Sequence, residues 1–455
     1  MMKELQTQSS STSLSFSAKA SITILVAGAL FFTVSIPAGA QRDKSPTYSV
    51  LHAFTGGEDG ALPAHRVVID REGNLFSSTA TGGYFGGEQS PCHQSGCGVV
   101  FKLDRAHRES VVYAFAGPPE DLSGPGEVIR DEEGNFYGAA GNTIFKISPW
   151  GHETQLYTFT GGADGGSPAG PLIRDHEGNL YGTTSDGGIV PGCGGFETSP
   201  LGCGVVFKID PRGRETALYS FTGGADGGVP GSGLIRDEEG NLYGTTYNGG
   251  TVNVSLGCGT GCGVIFKIDR HGKETVLHTF AGGSGGLRPE GIARSRDGSL
   301  YGVTIQGGNP LGLGYGLVYK LDARGEFTVL HAFADGPDGA SPFGTPLLIG
   351  KDLYGTTSAG GNASTAVAGP FGAGVIYKID TATGKETALY TFNGLADGWE
   401  PFAQLTRDEE GNFYGTAVQG GNFSAPYCVD NGCGVVFKLT LHDKCDDDHR
   451  DRDRD

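Results

Sequence analysis

The chain has 455 residues, 51 acidic against 33 basic, a formal charge of −18, and 81 glycines. An acidic balance spread through the turns argues against nucleic acid as a partner. So many glycines fit tight turns at positive φ, and a single composition regime without a linker points to one large repeat domain.

The N-terminal stretch carries Lys3 and Lys19, then an apolar run from Ile22 to Ile36, then Ala38-Gly39-Ala40. That run is short for a membrane span, and the small-x-small end suits signal peptidase. Residues 1–40 are therefore expected to be a signal peptide and 41–47 a linker, the rival being an uncleaved anchor. No transmembrane segment is expected after cleavage, and the product is expected to be secreted, periplasmic or held at the cell surface.

From residue 48 one unit is written seven times, and repetition at this period means a radial or stacked array. The third copy shows it best, with Pro171–Arg174, Asn179–Thr184, Val205–Ile209 and Thr216–Phe221 as four short apolar segments. Separated by turn chemistry, these predict four strands, several apolar on both faces, as in a sheet sandwiched between sheets. The first turn, Asp-x-Glu-Gly-Asn, recurs at 131–135, 175–179, 237–241 and 408–412. It pairs a carboxylate able to close an Asx-type turn with a glycine at the left-handed position. The last aromatic of the fourth segment recurs at Phe54, Phe115, Phe159, Phe221, Phe280, Phe333 and Phe392, spaced by 61, 44, 62, 59, 53 and 59 residues.

The chain starts with a fourth segment, Tyr48–Phe54, and its last unit stops after a third, Val435–Leu439. A closed ring explains that phase, because the first strand completes the last blade and leaves no open sheet edge. The expected fold is all-β, a seven-bladed β-propeller of four-stranded blades over residues 48–441, closed by the N-terminal strand. Six blades is the numerical rival, since the second copy is short. Residues 442–455, rich in Asp and Arg, are expected to be a disordered tail holding the lone thiol Cys445.

Eight of the nine cysteines fall in close pairs, Cys92/Cys97, Cys193/Cys203, Cys258/Cys262 and Cys428/Cys433, each in the loop between second and third strands. In an exported chain this predicts four local disulfides. Zinc is the rival reading, opposed by the scatter of the pairs over separate copies with only His93 nearby.

The pattern Gly-Asn-Leu-Tyr-Gly-Thr-Thr followed by Gly-Val-Val-Phe-Lys-Ile-Asp resembles NHL-type propeller repeats. The fuller unit, with Phe221-Thr222-Gly223-Gly224-Ala225-Asp226-Gly227 and Leu180-Tyr181-Gly182-Thr183-Thr184 leading to Gly187-Gly188, resembles the GloVer tandem repeat of exported bacterial proteins. The resemblance covers nearly all of residues 48–440 and implies an exported propeller. It brings no catalytic residues. Members often carry a C-terminal sorting anchor, from which the Asp/Arg tail departs, so surface anchoring does not follow.

If the strands run outward from the axis, one face gathers the Cys loops together with the Gly-x-Asp-Gly loops that join blades. Asp59, Asp164, Asp226, Asp338 and Asp397 lie there. They are either a carboxylate ring for Ca²⁺ or a hydroxyl-rich ligand, or plain turn formers, the reading favoured by the lack of alternating ligands. No cofactor is otherwise expected. Copies that depart from the rest mark specific chemistry, and at the start of the innermost strand stand His65, Arg66, Glu127, Arg288 and Glu290, a candidate polar site at the mouth of the channel. The alternative there is salt-bridged rim residues. Trp399 replaces a loop glycine and is either a sugar-stacking ring or packing, while Trp150, on the opposite face, is read as structural. His52, His278 and His331 replace a strand tyrosine and are read as packing residues with a polar tip. No Ser-His-Asp spacing, nucleophile elbow or phosphate loop is present.

The expected function is a non-enzymatic propeller, a monomer, binding a glycan, a peptide or a cell-envelope component. The alternative is a polysaccharide-active hydrolase or lyase with Glu127 and Glu290 as its carboxylate pair.

Overall fold

The computed structural model describes residues 45–84, 92, 95–117, 124–189, 202–310, 314–361, 371–428 and 431–442. The expected signal peptide, Cys193, His93 and the tail with Cys445 lie outside these residues. The described chain folds into seven four-stranded antiparallel sheets. The ring of seven blades follows the expected count.

Strands are named A to D from the axis outward. Blade 1 comprises Val68–Ile69, Leu75–Ser78, Val99–Leu103 and Glu109–Ala114, and blade 2 Ile129–Arg130, Phe136–Ala140, Thr143–Ile147 and Glu153–Thr158. Blade 3 runs from Pro168–Arg174 to Glu215–Ser220, blade 4 from Ile235–Arg236 to Glu274–Thr279, blade 5 from Leu287–Arg294 to Phe327–Ala332, and blade 6 from Ala340–Ile349 to Glu386–Thr391. Blade 7 takes strands A to C from Thr406–Arg407, Phe413–Ala417 and Val435–Thr440, and its strand D from the other end of the chain, Thr47–Ala53. Thr47 pairs with Thr440 and Ala53 with Val435, so the last sheet has no open edge.

The core is divided among the seams. Each of the seven hydrophobic clusters mixes residues of two neighbouring blades; Phe159 and Leu172, for instance, join blades 2 and 3. The recurring phenylalanine explains this arrangement. From the end of each strand D it meets the strand C aromatic of the next blade, with ring centroids 4.8–5.5 Å apart, as in Phe159–Phe207 and, across the closure, Phe54–Phe101. Such pairs bury large apolar area and add about 0.5–1.5 kcal/mol beyond it.

The Leu-Tyr-Gly-Thr-Thr of strand B divides the remaining work. Its tyrosine donates back to the turn aspartate at 3.0 Å in Tyr137–Asp131, Tyr181–Asp175, Tyr243–Asp237 and Tyr414–Asp408. Its glycine leaves room for the strand C ring, since a Cβ on Gly182 would sit 2.6 Å from Phe207 Cζ. Its first hydroxyl position reaches the next blade. Ser78 donates to the Gly126 carbonyl (2.7 Å), Thr245 to Glu290 (3.1 Å) and, closing the ring, Thr416 to His65 (3.0 Å). Its second threonine accepts a strand C N–H, as Thr184 does from Val205 (3.1 Å).

Candidate functional site

The loops that join blades and the loops between strands B and C share one face. Leu62 N–H donates to Cys433 O, Val229 to Cys203 O and Arg288 to Cys262 O, each linking a blade-joining loop to the Cys loop before it. Leu62, Val229, Arg288, Ser341 and Glu400 all precede a proline and all hold φ between 53° and 57°. That is strained backbone for residues with a Cβ, and strain of this kind persists only where surrounding structure fixes it. Residue type does not announce it, because these positions hold Leu, Val, Arg, Ser and Glu. The available signal was the recurring proline itself, five residues before the inner strand at Pro63, Pro230 and Pro401 and near its start at Pro289 and Pro342.

Three of the expected disulfides are formed in this face, Cys92–Cys97, Cys258–Cys262 and Cys428–Cys433, with Cα atoms 5.0, 4.9 and 5.1 Å apart. Cys203 is buried.

At the channel mouth the predicted residues fall into two groups. In the first, Arg66 Nε meets Glu127 Oε1 at 3.1 Å, and the same guanidinium donates to Gln404 (3.4 Å), so blades 7, 1 and 2 are tied together. His65 lines a small cleft with Glu127, Gly141 and Pro171. Ser78 Oγ, which donates to Gly126 O, is left to accept from His65 Nδ1 at 3.0 Å. Burial pushes this imidazole down to about 4, so it is neutral and proton-bearing on Nδ1 at pH 7. Burial raises the Glu127 carboxyl, and Arg66 works against that shift.

The second group lies between blades 4 and 5. Arg288 extends its guanidinium over the Tyr247 ring, 5.5 Å from the centroid. Glu290 is 9% exposed. Burial alone raises its carboxyl to about 8. Glu127 and Glu290 thus belong to blades three steps apart in a ring of seven, and Glu127 is engaged by Arg66. Between the groups, Phe343 and Phe402 form an edge-on pair, 5.0 Å between centroids, at the start of strands A in blades 6 and 7. Phe402 and Gln404 carry copy-specific chemistry of the kind expected at this rim.

The five loop aspartates are drawn inward. Asp164 accepts from Tyr157 Oη (2.9 Å), Thr160 N (2.9 Å) and Thr160 Oγ1 (2.5 Å). Asp226 and Asp397 are held likewise by Tyr219 and Tyr390, and His52 and His331 take the tyrosine's place at 3.2 Å from Asp59 and Asp338. Among the described residues no group of three or more His, Cys, Asp or Glu is placed to hold a metal ion. His278 has no such aspartate, because position 285 is glycine, and stacks on Phe327 instead at 4.1 Å.

The two tryptophans differ. Trp399 packs against the core cluster between blades 6 and 7, and its backbone pairs with Gln419. Trp150, read as structural, has its side chain 90% exposed on the turn between strands C and D of blade 2. A turn facing solvent offers a ring nothing to cover.

The Gloeobacter/Verrucomicrobia repeat profile matches residues 87–255 and 253–446. The chain belongs to the Gloeobacter/Verrucomicrobia repeat family. No curated protein sequence matches it. Among solved structures, this repeat protein is similar to virginiamycin B lyase from Staphylococcus aureus, at a TM-score of 0.54, 16% identity and coverage of 87% of this chain and 100% of that one. It is also similar to streptogramin B lyase, at 0.53 and 16%, covering 87% and 98%. The extracellular domain assigned to a one-component system of B. thetaiotaomicron matches at 0.50 and 14%, covering 88% of this chain and 42% of that one. Likeness at such identities is a likeness of fold.

Proposed function

We propose that this chain is an exported, non-enzymatic propeller that binds a cell-envelope partner, a glycan or a peptide, on the face carrying the Cys loops. One observation carries the reading. Of the twelve large apolar side chains exposed among the described residues, eight stand on loops of that face: Tyr84, Ile189, Val252, Val254, Tyr315, Phe371, Leu395 and Tyr427. Only Trp150 stands on the opposite face, and Val50, Val111 and Val329 lie on outer strands. Apolar side chains gathered on one side of a molecule otherwise rich in charge mark an interaction surface, and aromatic residues are favoured at such surfaces. The disulfides of the same loops support export, as does likeness to an extracellular domain. The carboxylate-pair enzyme has less support, because Glu127 is ion-paired and sits three blades from Glu290.

The test is a binding screen of the full chain against envelope glycans and peptides. Replacing Phe371 and Tyr427 by alanine is expected to weaken the selected ligand about tenfold or more, as truncated aromatic anchors do. Trp150→Ala is expected to leave binding unchanged. Equal loss from Trp150→Ala would move the binding surface to the other face.

A further inference from the structure

The cleft beside His65 at the axial mouth is opened by side chains that two neighbouring blades omit. At the position of His65, blade 4 carries Ser232, blade 5 Glu290 and blade 7 Ala403. Glycine stands there in blades 2, 3 and 6, as Gly126, Gly170 and Gly344, so only blades 2 and 3 leave two successive gaps. The result is a cleft of about 190 Å³ walled by Gly126, Gly141, Gly170, Pro171, His65 and Glu127. A Cβ on Gly141 would meet no atom within 4 Å, and one on Gly126 only the Ala139 carbonyl oxygen, at 3.4 Å. Access is provided by the same blade. Strands B and C of blade 2 are joined by Gly141-Asn142 alone, whereas elsewhere the join runs from ten residues, 307–316, to twenty, 79–98. No long loop of that kind therefore stands over blade 2.

Two acceptors line this space. His65 spends its Nδ1 proton on Ser78 (3.0 Å), which leaves Nε2 to accept. Glu127 holds Oε1 3.1 Å from Arg66 Nε, which leaves Oε2. Neither His65 Nε2 nor Glu127 Oε2 makes a hydrogen bond with any described residue. The chemistry of an occupant follows from these neighbours. A second cation at Glu127 would meet the charge of Arg66, and among the described residues no group of three His, Cys, Asp or Glu is placed to hold a metal ion. Neutral O–H donors meet neither obstacle. The remaining wall is glycine, alanine and proline, an apolar surface for a C–H face. We propose that this cleft binds one sugar ring of a glycan through two of its hydroxyls, one donating to His65 Nε2 and the other to Glu127 Oε2. The inference rests on the binding-propeller reading and names the ligand chemistry of one subsite.

The experiment titrates the full chain calorimetrically with the methyl glycosides of mannose, galactose and glucose, and with n-propylamine hydrochloride as a cationic probe. Saturable binding of at least one glycoside is expected, with a dissociation constant on the order of millimolar for so small a ligand. Glu127→Met and His65→Phe each remove one acceptor and should weaken binding about tenfold. Gly126→Leu fills the cleft and should abolish binding with near-ultraviolet circular dichroism unchanged, since four blades already carry a side chain at that position. Trp150→Ala, on the opposite face, should change nothing. No glycoside binding by the full chain, amine binding as tight as that of the best glycoside, or undiminished binding by Gly126→Leu would each overturn the proposal. The Phe371 and Tyr427 variants should lose the envelope partner and keep the glycoside, which separates failure of this subsite from failure of the loop face.

Discussion

At the scale of residues, one pentapeptide does most of the specifying. Tyr181 closes the turn through Asp175 (3.0 Å) and lies between two cations, Lys208 of its own blade and Arg236 of the next, each 5.7 Å from the ring. Tyr181→Phe keeps the ring and loses the bond, so it is expected to cost about 1 kcal/mol in chemical denaturation. Gly182→Ala is expected to cost more, about 1–3 kcal/mol, because its methyl would press on Phe207 and Leu172. The Asp-x-Glu-Gly-Asn turn was readable from composition alone, since its bonds close within five residues, as in Asn179 N to Asp175 Oδ1. The pairing of Tyr or His with the loop aspartate seven residues later was equally local and was missed. The signal was there: where the aspartate is absent, at position 285, the histidine loses its partner and Phe327 replaces the glutamate found at that position in other blades.

At the scale of elements, the ring depends on a strand taken from the far end of the chain. Thr47–Ala53 supplies the outer strand of blade 7, and Tyr48 stacks on Tyr390 of blade 6 at 3.9 Å. Removing residues 1–54 would expose Val435–Thr440 as a bare edge and strip the closing Phe54–Phe101 pair. Such a truncation is expected to aggregate on size-exclusion chromatography and lose near-ultraviolet circular dichroism, whereas removing residues 1–44 is expected to do neither. The outer strands also carry a repeated carboxyl. Glu109, Glu215, Glu274 and Glu386 each bury one carboxyl oxygen without a hydrogen-bond partner. Burial, reinforced by Asp164, Asp226 and Asp338 of the preceding loops, pushes Glu215, Glu274 and Glu386 up to about 7, and burial pushes Glu109 up to about 6.

At the scale of the whole molecule, these groups set a pH profile. An acid raised on folding favours the protonated state, so its contribution is full below about 4.5 and is lost as pH rises through its folded value. Five such glutamates, with Glu290 at about 8, make stability fall from about pH 4.5 upward until about pH 8. The turn aspartates Asp131, Asp175, Asp237 and Asp408 act in the opposite sense. Burial raises them, but hydrogen bonds from asparagine and tyrosine outweigh it and lower them, so their contribution is lost on acidification. Neutral His65, lowered to about 4 by burial, adds a loss below about pH 6.5. Melting temperature is therefore expected to peak near pH 4–5, where the aspartates are ionised and the glutamates still protonated in the folded chain, and to decline toward pH 8. Glu215→Gln should flatten part of that decline, and a profile rising to pH 8 would contradict the assignment.

The sequence by itself determined the strand count, the seven blades, the closing role of the first strand and the loops that share a face. Each follows from short-range periodicity, turn chemistry and the phase of a repeat, which are written locally. The tertiary structure decided which rim residues meet. Arg66 finds Glu127 from a neighbouring blade and Gln404 from across the closure, while the buried hydroxyls of Tyr319 and Tyr377 find no hydrogen-bond partner. Those outcomes depend on how adjacent blades pack side by side, and side-chain partners across a seam are set by distances in space that no spacing along the chain records.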